Sequence, residues 1–451
     1  MKKLLLILVV LLIATIAACA DEPYEEVVDA SDSDSIVADS DEAELPDEVE
    51  PAEQEEIPER DEVLQQDELA HHIPSGTQHP VIATGNLPSG YVSAVFVESS
   101  DGTDDGVIRL IASMERYGIN FYRTSDTTDG LIGAGDVVLL QINVQWAERG
   151  GTNTDLIGSV IRAVINHPDG FAGEVIVADN GQAQFGSGGT GGNLNWAQSN
   201  ARDTSRSTQI VINEFREQGY HVTGVLWDEF TTVQVEEFNV GDMRDGFLVG
   251  DYVHPTGLEV TYPKFTTEFG THVSFRYGIF YADTGMYSTD RLRVINMPVL
   301  KSHMIFSQTG AVKGYMGTVS DRLTNARAHH SVGTGGMGTQ MVETRMPVLN
   351  IMDMIWVAPD RGPAAPFDRA VEINQIAAST DPVAIDVWTT RHILIPEAER
   401  VPGGRAAAMD PTGMEPGTFG HWLRLSLDEM LHAGFRFTMD EDEIFVVNNV
   451  R

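Results

Sequence analysis

Past residue 90 the chain alternates between short, continuously apolar runs and longer segments whose apolar positions fall three or four apart. Tyr91–Val97 is a β-branched run, and Asp136–Asn143 (DVVLLQIN) and Glu174–Asp179 (EVIVAD) are the kind of strand that is buried on both faces of a parallel sheet. Between the last two, Asp155–Asn166 has helical spacing, so the three segments predict a strand–helix–strand unit with a right-handed crossover. Gly106–Tyr117 predicts another helix, with Val107, Leu110, Ile111 and Met114 on one face. Further strands are expected at Val222–Trp227, Leu292–Asn296 and Pro347–Trp356, and further helices at Ser205–Gln218, Asp381–Ile393 and Phe419–Ala433. The fold class is α/β, with a mixed, largely parallel sheet flanked by helices.

The first 90 residues read differently. Lys2 and Lys3 precede an apolar run, Leu4–Ile16, that is shorter than the roughly 20 residues needed to span a bilayer. It ends in Ile16-Ala17-Ala18-Cys19, which resembles a bacterial lipobox. Residues 1–18 are therefore expected to be a lipoprotein signal peptide, with Cys19 lipidated and the mature chain anchored outside the cytoplasm. Residues 20–70 hold 22 acidic residues against one base, Arg60, and few apolar residues. Such a segment cannot offset the entropy of ordering, so 19–90 is expected to be a disordered acidic linker ahead of a body spanning 91–451. His71, His72 and His79 at the junction are expected to be exposed. The net charge is −38, and more than half of it lies in the linker. A body that is itself acidic excludes a nucleic-acid backbone as partner. The single cysteine excludes disulfide, zinc-ribbon and iron–sulfur scaffolds.

Candidate chemistry concentrates in Val294–Gly317 (VINMPVLKSHMIFSQTGAVKGYMG). Pro298 stops a strand, a polar loop carrying Lys301 and His303 follows, and Thr309-Gly310 predicts a helix start that puts Lys313 in or just after the first turn. Free N–H groups at that start, with two converging lysines, would bind an anion. The body has only three lysines, Lys264, Lys301 and Lys313, against 23 arginines, and two of the three fall in this segment. Arginine would serve a surface ion pair equally well, so lysine here points to a compact ammonium or to an amine whose proton matters. Ligands of α/β sheets gather at the carboxyl ends of strands. The candidate catalytic residues are therefore Lys301, His303 and Lys313, and the candidate ligand-binding residues are Asn143, Asp179, Thr309, Gly310, Asp353 and Asp381. The expected partner is a small anionic molecule, a phosphate ester or carboxylate.

The same segment resembles the domain-of-unknown-function 362 family, whose central motif is similar to Pro298, Lys301, His303, Thr309, Gly310, Lys313 and Gly317. Ser379–Asp386 (STDPVAID), Asn350–Asp353 with Gly362-Pro363, Gln141–Asn143 and Ala178-Asp179 resemble its other motifs, over roughly Gly135–Asn448. In the second motif the resemblance implies that Asp381 caps a helix and Asp386 lies about a turn and a half inside it. Gln141 stands where the family has lysine, and Gly314 where it usually has asparagine. The resemblance implies no established reaction and assigns no cofactor. Some relatives carry added ferredoxin clusters, which a chain with one cysteine cannot build.

Three functions stay open at this point. The first is an enzyme acting on an anionic molecule, with Lys301 or His303 moving a proton. The second is a non-catalytic binding lipoprotein. The third is a metal or metallocofactor enzyme using His303, His329, His330 and acids, suggested by a looser similarity to nickel-cofactor racemases. The glycine-dense stretches Gly186–Asn193 and Gly333–Gly338 are expected to be surface or lid loops, and Met341, Met346, Met352 and Met354 to fill core gaps.

Overall fold

The computed structural model of the chain describes residues 79–145, 148–181, 192–195, 202–360, 362 and 369–450. The expected signal peptide, Cys19, most of the acidic linker, most of the Gly186–Asn193 loop and Pro363 lie outside these residues. Among the described residues, ten strands form one sheet. Eight of them follow the order Ile444–Asn448, Ser93–Ser99, Val371–Ser379, Leu349–Ala358, Leu292–Asn296, Val137–Gln141, Glu174–Asp179, Val222–Leu226. The strands from Leu349–Ala358 to Val222–Leu226 are parallel, and Val371–Ser379 runs against both of its neighbours.

The apolar runs form strands here because both faces of the sheet are covered. Val138, Leu140, Val175 and Val177 point into one core with helices Gly106–Glu115, Thr154–Ile165 and Thr208–Glu217. Val137, Leu139, Ile176 and Ala178 point into the other, with helices Gly336–Glu343, Pro382–Thr389 and Phe419–His432. The helix starts follow their caps. Asn153 accepts the N–H groups of Asp155 and Leu156, Ser207 that of Ile210, and Asp381 those of Val383 and Ala384, with Pro382 beginning the helix. Met341, Met346, Met352 and Met354 are all fully buried.

Several elements differ from expectation. A five-stranded antiparallel sheet, Gly246–Val253 to Met286–Ser288, is inserted between two strands of the main sheet. Inside it Lys264 is fully buried, donating to the carbonyls of Glu236 and Asp242 at 2.6 Å each. The expected polar loop after Pro298 is a hairpin, Val299–His303 against Ser307–Thr309. The expected Gly333–Gly338 lid is instead the end of a short helical turn, Val332–Thr334, followed by the start of helix Gly336–Glu343, packed on Phe419–His432. Among the described residues, His79 already makes contacts with the body. Its ring packs edge-on against Phe435, its Nδ1 accepts the Met346 N–H at 3.2 Å, and burial lowers its pKa to about 4. His79 is therefore not an exposed linker residue. Among the described residues, no helix is long and apolar enough to cross a membrane.

Candidate functional site

The chain runs from Val137–Gln141 outward through Glu174–Asp179 to Val222–Leu226, then returns to the other side of Val137–Gln141 at Leu292–Asn296. A reversal of this kind leaves a crevice beyond the carboxyl ends of the two diverging strands. The segments that leave the strands there are tied together. Asn143 donates its N–H to Thr152 Oγ1 at 2.8 Å and accepts the Val299 N–H on its Oδ1 at 3.0 Å. Asp179, at the end of the next strand, accepts the Val144 N–H at 2.8 Å.

Over this crevice lies a cavity of about 700 Å³. Its polar wall is built from Asn143, Asp179, Lys301, His303, Thr309 and Lys313, and its apolar wall from Met304, Ile305, Phe306 and Met316. The two lysines are held differently. Lys301 Nζ donates to the Gly150 carbonyl at 2.7 Å and feels the charges of Asp179 and Asp353, yet burial still lowers its pKa to about 8. Lys313 Nζ has no hydrogen-bond partner among the described residues and stands 5.4 Å from the Phe306 ring centroid. Burial, then the Lys301 charge, lower its pKa to about 7, against an opposing pull from Asp321. Burial also pushes Asp179 well above the usual carboxylate range, with Asp228 adding to the effect.

Two histidines of the cavity have their Nδ1 atoms committed in different ways. His303 Nδ1 accepts the N–H groups of Ile305 and Phe306 at 3.1 and 3.2 Å. Its ring is therefore neutral with the proton on Nε2, and burial and the Lys313 charge press its pKa down. It can donate a hydrogen bond to a ligand but not take a proton there. This narrows the sequence expectation that His303 or Lys301 moves a proton. His329 Nδ1 is bonded instead to the buried carboxylate of Asp321, which also accepts the Ala328 N–H at 2.9 Å. The chain folds back between them through Asn325 and Ala326, both left-handed (φ 58° and 65°). That conformation costs an alanine on the order of 1 kcal/mol.

The start of the short helix Ala311–Gly314 does not serve an anion, as the sequence suggested. Its free N–H groups, on Ala311 and Val312, are taken by the Asp386 carboxylate at 2.6 and 3.0 Å. Asp386 is fully buried and has its pKa raised to about 7 by that burial. The motif glycines are the positions where carboxylates approach the backbone. A Cβ on Gly310 would lie 2.2 Å from Asp386 Oδ1, and one on Gly317 would lie 2.4 Å from Asp179 Oδ1.

Of the residues selected from sequence, Asn143, Asp179, Lys301, His303, Thr309 and Lys313 meet in the cavity. Gly310 sits behind it against Asp386. Asp353 is fully buried and accepts the N–H groups of Asn153 and Ile355, so it acts on Lys301 by charge. Asp381 faces Ser93 Oγ and the Thr438 N–H as well as its own helix, outside the cavity lining. Sequence reasoning missed the Asp321–His329 pair and the part played by Asp386. Among the described residues, no group of three or more His, Cys, Asp or Glu is arranged to hold a metal ion.

Fold and site together define an α/β protein with a lysine- and histidine-lined cavity at the carboxyl ends of its parallel strands. Residues 287–391 match the model of a family described as Domain of unknown function (DUF362). The match holds both the Lys301–Gly317 motif and Ser379–Asp386, and is narrower than the resemblance traced through the sequence. No curated protein matches the chain.

Proposed function

We propose that the cavity binds and acts on a small carboxylate- or phosphate-bearing molecule, held by Lys301, Lys313, His303 and Thr309. The observation that carries this reading is the pair of buried lysine amines facing one cavity, of which only Lys301 has a hydrogen-bond acceptor among the described residues. A buried cation without a counter-charge is costly, and a bound anion removes that cost. The neutral His303 adds an Nε2–H donor, and the Thr309 hydroxyl is buried without a hydrogen-bond partner among the described residues. Calorimetric titration of the purified chain with a panel of phosphate and carboxylate metabolites tests the reading. Binding by the native chain that vanishes in Lys301→Ala/Lys313→Ala is expected, and undiminished binding by that double variant refutes it. Affinity should fall as pH rises through about 7 to 8, where the two ammonium groups lose their protons.

We infer also that the protein is exported and lipid-anchored through Cys19, on the strength of Lys2-Lys3, the Leu4–Ile16 run and the Ala17-Ala18-Cys19 ending. Metabolic labelling with a fatty acid in the bacterial host, lost in Cys19→Ala, tests it. An unlabelled native chain would remove the anchor.

A further inference from the structure

The three lysines of the body occupy different environments. Lys264 donates to two backbone carbonyls and lies over the Phe238 ring at 4.3 Å. Lys301 is held by the Gly150 carbonyl beside two carboxylates, so its charge is supported. Lys313 is 5% exposed, opens onto a cavity of about 700 Å³ and stands over the Phe306 ring at 5.4 Å, with no hydrogen-bond acceptor among the described residues. The nearby Asp321 carboxylate is engaged by His329 and the Ala328 N–H. A desolvated amine beside a second cation is the arrangement that makes lysine a nucleophile at neutral pH.

We propose that Lys313 forms an imine with a carbonyl-bearing anionic substrate, a 2-oxo acid or an aldehyde acid, whose anionic group is held by Lys301. This inference rests on the anion reading above and names the chemistry of the same site. The Nζ lone pair adds to the carbonyl carbon, the C–O π bond breaks, and the resulting hydroxyl leaves as water. Taken from the ammonium form, one ammonium and one carbonyl give one iminium and one water, whose two hydrogens come from Nζ. No oxidant, reductant or further proton is needed. The Nε2–H of His303, on the same wall, is a donor to the substrate oxygens. The apolar wall of Phe306 and Met316 limits water at the C=N bond.

Glyoxylate with sodium cyanoborohydride at neutral pH, on the full purified chain, is the test. It traps an imine as a stable carboxymethyl amine that peptide mass mapping locates. One adduct per chain at Lys313 is expected, absent in Lys313→Arg, with Lys264 and Lys301 unmodified. A 1,3-diketone gives an independent readout, because it condenses only with a neutral amine to an ultraviolet-absorbing enaminone. Its rate should rise to half its maximum near pH 7, reflecting Lys313 among Lys301, His303, Asp321 and His329. Adducts spread over several lysines, or none at Lys313 with either probe, overturn the inference. Calorimetric binding of glyoxylate without an adduct overturns the imine but leaves the anion reading standing. No anion binding by any compound of the panel defeats that reading separately.

Discussion

Asp386 and Ala311 are 75 residues apart in sequence, and the Asp386 carboxylate accepts the Ala311 N–H at 2.6 Å. One helix thus caps another, and the capped helix carries Lys313. The arrangement needs a missing side chain as much as a present one, because the carboxylate lies where a Cβ of residue 310 would stand.

Asp386→Ala should therefore lower stability by about 1–2 kcal/mol from the lost cap. Gly310→Ala should lower it by about 1–3 kcal/mol through overpacking. Both should loosen Lys313, so anion affinity falls with stability. Urea unfolding and calorimetry on the same samples check this. An unchanged midpoint in Gly310→Ala would mean that Asp386 moves away freely.

The lysines should respond to neutralisation differently. Lys301→Met leaves the Gly150 carbonyl unpaired and removes the cation beside Asp179 and Asp353. A loss of about 3–5 kcal/mol is expected, as when one partner of a buried charge group is deleted. Lys313→Met removes a buried amine that has no hydrogen-bond partner among the described residues, so stability should hold or rise by about 1 kcal/mol. Equal losses in urea midpoint would contradict this division of roles.

The fold was legible in the sequence where burial is two-sided. Glu174–Asp179 was read residue for residue because both of its faces are core. Glu259–Thr266 was not, because Pro263 and Lys264 interrupt its apolar pattern, and the buried Lys264 is satisfied by carbonyls more than 20 residues away. The Val299–His303 strand was hidden in the same way, since Lys301, Ser302 and His303 are polar yet buried. Lys301 and Lys313 stood out through the scarcity of lysine. The Asp321–His329 pair gave no signal, because it depends on two left-handed residues, and nothing in the identity of Ala326 indicates that conformation.

Stability should pass through a minimum near neutral pH. Burial raises Asp381 to about 6, and Asp386 and Glu429 to about 7. Between about pH 4 and 7 these carboxyls keep protons that the unfolded chain has released, which outweighs the opposite contribution of His79 and His303, whose pKa values burial lowers, and stability falls as pH rises. Burial lowers Lys313 to about 7 and Lys301 to about 8, from 10.5. Above about pH 7 the unfolded chain holds protons that the native state has lost, and stability rises with pH. Urea midpoints from pH 5 to about 10 at constant salt should trace this shallow valley, and Lys313→Met should flatten its alkaline side. A curve that climbs steadily from pH 5 to 7 would count against the raised carboxylates.

Position 141 lies behind the cavity lining, against Gly314, which is part of that lining. Gln141 Nε2 donates to the Gly314 carbonyl at 2.8 Å, holding the turn that carries Lys313, while its Oε1 is buried without a hydrogen-bond partner among the described residues. A lysine there keeps a donor for that carbonyl and adds a third ammonium close to Lys313. Without a ligand, Gln141→Lys should cost about 1–3 kcal/mol, since like charges share a desolvated site. It should also lower the pH at which Lys313 is half-reactive toward the 1,3-diketone. An anion in the cavity should offset more repulsion in this variant than in the native chain. Inorganic phosphate should therefore raise the melting temperature of Gln141→Lys by more than it raises that of the native protein. Equal increments would mean that residue 141 supports the Lys313 turn mechanically and lies outside the field the ligand feels.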